Sequence, residues 1–132
     1  MWILALNVLW SLPIAAFAWA RRHSTQRVWR YTGAAFGLVV EPAGMALYGL
    51  YFSPLTAPLG IVGLLLTQFH GEVGYRLAIS LGLVEPATVV RGVQHVYITV
   101  LSSVVWAPVY GVLGLALDLI RLRRRAGGLT SR

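Results

Sequence analysis

The chain has 132 residues, 58% hydrophobic and 11% charged, with a formal net charge of +7. Soluble domains carry about 25% charged residues, and apolar runs this long in so short a chain exclude a two-domain soluble protein. The absence of cysteine excludes disulfides, thiolate metal sites and thiol chemistry.

The cationic residues are all arginines, gathered mainly as Arg21/Arg22/Arg27/Arg30 and Arg121/Arg123/Arg124/Arg125. Basic clusters beside apolar runs follow the positive-inside pattern of membrane insertion. Nucleic acid is not expected as a partner, because no basic helical stripe or stacking-aromatic motif accompanies the charge.

Residues 2–20 carry no charged side chain and are long enough to cross a bilayer as a helix, with Pro13 bending it. Ala18-Trp19-Ala20 has the form of a signal-peptidase site. However, Arg21-Arg22 follow the apolar run instead of preceding it, which favours a retained span with the amino terminus outside. The polar loop 21–31 contains His23 as a solvated histidine, and Trp19, Trp29 and Tyr31 suit the lipid–water boundary.

Residues 32–53 form the expected second span. Gly33 and Gly37 are four apart, a small-xxx-small face for close helix packing. Glu41-Pro42 interrupts this span. An ionised carboxylate at mid-membrane costs about 2.5–3.5 kcal/mol on insertion scales, so Glu41 is a candidate functional residue. Pro42 frees the carbonyl of Leu38, and local unwinding beside a carboxylate would concentrate acceptors at one point.

After Pro54 and Pro58, residues 55–70 form a short third span. His70–Arg76 then reads as a polar break, with Glu72 and Arg76 at i, i+4 as a helix-stabilising pair. Residues 75–91 are apolar again and contain Glu85-Pro86. Shifting the chain by 44 residues superposes Tyr31 on Tyr75, Ala34 on Ala78, and Val40–Ala43 on Val84–Ala87. Repeated Pro-interrupted spans point to transporter-type sites. If the repeat is real, it sets Glu41 and Glu85 at similar depth.

Residues 95–120 form the last span, preceded by Arg91 and carrying His95, Ser102 and Trp106 near one helical face. Arg91 and His95 are candidate partners for the two glutamates, against a plainer reading as interfacial side chains. Asp118 and Arg121, at i and i+3, are expected to pair at the interface. The tail 126–132 is expected to be flexible.

Both arginine clusters belong on the cytoplasmic side, so an even number of spans must separate them. This favours an all-α, polytopic bundle of five spans, forming one domain over 1–125. The runner-up has three spans, with 55–95 dipping in and out on the outer side.

No cofactor or metal is expected. One haem cannot reach both His70 and His95 in the five-span arrangement, and no other metal-ligand spacing is present.

The favoured function is a self-associating or accessory subunit of a membrane complex, held by inter-helix contacts at Glu41, Glu85, Pro42 and Pro86. The alternatives are an oligomeric transporter or proton-coupled channel using Glu41 and Glu85, and an intramembrane enzyme using the same carboxylic acids on a lipid-like substrate. The expected partners are the bilayer and further copies or subunits.

Overall fold

The computed structural model describes residues 2–23, 26–86, 90 and 92–129; side chains are described between residues 7 and 125. The described residues are helical apart from short connections and contain no strand. The helices are α1 (Trp2–His23), α2 (Val28–Tyr48), α3 (Ala57–Ser80) and α4 (Val93–Leu129), with a single 3-10 segment, Gly49–Phe52, extending α2.

Helix α1 ends on Arg21 and Arg22, cations placed where the helix dipole favours them, followed by His23. A ring nitrogen of His23 hydrogen-bonds the Trp19 carbonyl at 3.0 Å, satisfying one of the terminal acceptors. α1 runs antiparallel to α2, since Trp10 meets Phe36 and Phe17 meets Trp29 at ring-centroid distances of 5.6 and 5.8 Å.

The start of α2 is capped from a distant part of the chain. The backbone N–H groups of Trp29 and Arg30 donate to the two carboxylate oxygens of Asp118, at 3.1 and 3.0 Å. A negative charge on the unsatisfied amides of a first turn satisfies both hydrogen bonding and the dipole. Asp118 therefore does not serve Arg121 as the sequence suggested, because two backbone amides engage its carboxylate.

With Gly33 at Tyr110 and Gly37 at Trp106, this contact shows α2 antiparallel to α4 and brings both arginine clusters to one end of the bundle. Glycine holds the two helices close. A Cβ on Gly33 would overlap the Tyr110 carbonyl, one on Gly37 the Trp106 carbonyl, and one on Gly114 the Trp29 carbonyl. The small face at Gly33 and Gly37 is thus filled within the chain.

α3 lies across this pair. Its glycines first follow α2, with Gly60 at Tyr51, Gly63 at Leu47 and Tyr48, and Gly71 at the Glu41 carboxylate. The helix then meets α4, with Gly74 against Ser102 and Ile98. Ala78, Val84 and Ile98 form a buried cluster with Leu101 packed on it. Both ends of α3 therefore lie towards the end of the bundle opposite the arginines.

One helix over 57–80 runs through the expected break between 55–70 and 75–91, and 81–86 are not helical, so five separate spans are not seen among the described residues. His70–Arg76 does not break it: Glu72 and Arg76 pair at 2.7 Å on its exposed side, while Gly71 and Gly74 admit its neighbours. What stops α3 is Gly82, at φ 69°. The Leu83 N–H donates to the Ala78 carbonyl at 2.8 Å and the Gly82 N–H to Ile79 at 2.9 Å. This is the paired hydrogen-bond closure of a helix that ends on a left-handed glycine.

Two further expectations change. α2 stays helical through Glu41 and Pro42, without the expected unwinding. α4 continues to Leu129, so 126–129 are helical instead of loose; 130–132 lie outside the described residues. Ala126 and the preceding arginines are good helix formers, which carries the helix into the two glycines.

Among the described residues, two helical stretches are long and apolar enough to cross a membrane, 28–52 and 93–125. In the second, only 17% of the most apolar window is buried inside the protein.

Candidate functional site: a carboxylate-walled cavity between three helices

Where α2, α3 and the start of α4 diverge, they leave an open cavity of about 340 Å³. Glu41 reaches its wall from α2. The residue is 1% exposed, and its Oε2 has no hydrogen-bond partner among the described residues. Gly71 makes this position possible: a Cβ there would stand 3.1 Å from Glu41 Oε1 and crowd the carboxylate. The bland face of α3 is thus a seat for the acid on α2.

The remaining wall is mixed. Tyr48 and Tyr75 supply aromatic faces, Thr67, Gln68 and Thr99 supply neutral polar groups, and Glu72 and His95 stand exposed at the rim. Thr67 donates its hydroxyl to the Gly63 carbonyl at 2.6 Å, so it can offer the cavity only an acceptor. Among the described residues, no arginine lines the space. Glu72 is already paired with Arg76, so the buried Glu41 acceptor and the two phenol rings are what favour a ligand that donates hydrogen bonds or carries positive charge.

The structure therefore brings Glu41 and His95 to one cavity and leaves Glu85 out of its lining. Glu85 and Pro86 are exposed and lie in the connection after α3, so neither is the buried helix break expected. The Gly82 stop accounts for this, since it ends the helix three residues before Glu85. The two Glu-Pro copies take different conformations, one helical and buried, the other not, and part of the second, Ala87, lies outside the described residues. Arg91 also lies outside them. Pro42 is half-buried in α2, while Gly33 and Gly37 pack against α4 as described above.

A second cluster, which the sequence reading missed, lies beside this cavity. His70 of α3 is 3% exposed. Its Nδ1 is 2.9 Å from the Leu66 carbonyl, which can only accept, so Nδ1 carries the proton. In the neutral ring Nε2 is then an acceptor, and the Tyr110 hydroxyl donates to it at 2.9 Å. The Trp106 indole N–H donates to the His70 carbonyl at 3.0 Å, and its ring meets the imidazole at 4.8 Å. Both nitrogens of His70 are thereby engaged, which removes it as a metal ligand in this arrangement. The spacing of Trp106 and Tyr110, one turn apart and pointing the same way, was the available signal.

Among the described residues, no three metal-ligating side chains gather. Compared with protein-family models, curated proteins and solved structures, the chain matches none.

Proposed function

We propose that this chain is an integral membrane protein that holds a small cationic solute in the Glu41 cavity. α1, α2 and α4 cross the bilayer, and α3 lies across α2 and α4 with both ends towards the side opposite the arginine clusters. Support for the membrane setting comes from α4. A helix of a soluble core would bury most of its apolar surface, whereas α4 presents Val104, Val112, Leu113 and Leu117 outward. Three spans also keep both arginine clusters on one side, the cytoplasmic side by the positive-inside rule, with the amino terminus outside.

The observation that carries the binding reading is the buried Glu41 carboxylate, its Oε2 without a hydrogen-bond partner among the described residues, at the wall of an open cavity. A buried acid without partners is costly, and a cation or N–H donor in the cavity would supply the missing interaction. The subunit reading loses one of its motives, because the Gly33/Gly37 face is occupied by α4. The enzyme reading loses its second acid, because Glu85 does not line the cavity.

The test uses the full chain in detergent, titrated with methylammonium, tetramethylammonium, guanidinium and sodium ions while thermal unfolding is followed. At one hundred times its dissociation constant, a bound ion stabilises by about 2.7 kcal/mol. At least one of these ions should raise the melting temperature, and Glu41→Gln should abolish that rise while keeping the helical circular dichroism. If none stabilises the native chain, or if Glu41→Gln responds equally, the reading fails.

A further inference from the structure

We infer that the last turns of α4 form a binding site for anionic phospholipid. Leu117, Ile120, Arg121, Arg124 and Arg125 follow one another at helical i, i+3, i+4 spacing and line a groove of about 500 Å³. All five are exposed. The groove has an apolar half nearer the middle of the bundle and a guanidinium half beyond it.

Its place in the fold makes this pattern specific. Asp118 sits level with the first turn of α2, so the seven residues from Leu119 to Arg125 extend α4 past that turn by about 10 Å. Asp118, the acid of this stretch, is turned inward onto the Trp29 and Arg30 amides and neutralises none of the three guanidinium groups of the groove. An occupant needs acyl chains beside Leu117 and Ile120 and phosphate beside the arginines. Arginine binds phosphate bidentately, and basic clusters next to a span favour anionic lipids. Nucleic acid would match the charge but not the apolar half.

This inference shares the membrane setting with the proposed function but does not involve the Glu41 cavity. The full chain is reconstituted in phosphatidylcholine vesicles and in vesicles containing phosphatidylglycerol, and lipids retained after extraction are measured by native mass spectrometry. Failure to float with neutral vesicles would overturn the membrane reading itself. Within it, phosphatidylglycerol should be retained in preference to phosphatidylcholine. Each arginine removed should weaken retention about fivefold, so R121Q/R124Q/R125Q should lose roughly 100-fold. R21Q/R22Q, at the same end but outside the groove, should lose much less. Equal losses in the two variants would mean diffuse surface charge and overturn the site. Displacement by glycerol phosphate as effective as by phosphatidylglycerol would overturn the apolar half. Preference for an oligonucleotide over the lipid would overturn the assignment altogether.

Discussion

Three buried polar side chains show how neighbours decide what an isolated residue does. Asp118 is 3% exposed, yet both its oxygens are engaged by backbone amides, so it acts as a helix cap supplied from another helix. Asp118→Ala leaves two amides of α2 unmet and should lower stability by about 1–2 kcal/mol. Asp118→Asn, which keeps one acceptor but loses the charge, should cost less; thermal unfolding in detergent ranks the two. Ser102 is the opposite case: it is fully buried, and its hydroxyl has no partner among the described residues. An orphaned hydroxyl gives no return for its desolvation. Ser102→Ala should therefore be neutral or stabilise by about 1 kcal/mol, and a clear loss of stability would show that the hydroxyl has a partner. Glu41 shares the burial of Asp118 and the missing partner of Ser102. Replacing it should therefore cost little in stability and change binding instead, a separation that neither other residue would show.

At the scale of elements, glycine sets both the contacts and the ends of helices. Adding a Cβ at Gly33 or Gly37 drives it into the backbone of α4, and Gly→Ala at either position should destabilise by about 1–3 kcal/mol. Gly111 is the control in the same interface. A Cβ there would stand 3.5 Å from the Ala34 Cβ, an ordinary contact, so Gly111→Ala should be tolerated. If all three variants melt alike, the glycine face does not decide the α2–α4 distance. Gly82 differs in kind, because its left-handed backbone costs an L-residue roughly 1–2 kcal/mol, so Gly82→Ala should weaken the stop after α3. These positions also mark what was legible beforehand. The helical class, the first two helices and the small face at Gly33/Gly37 follow from apolar runs and spacing. The fate of 71–92 does not, because apolar content alone suits either a span or a packed connection. The decisive signal there was Gly82 followed by Pro86, a helix stop within an apolar run. Glu41 was legible as a buried acid. Its cavity was not, since the cavity depends on where Gly71 meets α2.

For the whole molecule, the placement of α3 determines what kind of site Glu41 occupies. On the proposed three-span reading, the two arginine clusters share one side, and residues 49–56 and 81–86 share the other. The cavity then opens between the start of α4 and α3, on the side away from both arginine clusters, which a cationic solute can approach without passing their eight guanidinium groups. The chain contains no cysteine, so single cysteines report side directly. Leu55→Cys and Leu83→Cys should both react with a membrane-impermeant maleimide from the outer face of sealed right-side-out vesicles, whereas Gln26→Cys should react only after the vesicles are opened. Five spans would bury residue 83 in lipid and leave it unreactive, and a fully crossing α3 would place it with residue 26. The pattern at residue 83 therefore decides among three topologies. Only an outer-face reaction leaves Glu41 at the wall of a cavity that faces away from the two arginine clusters.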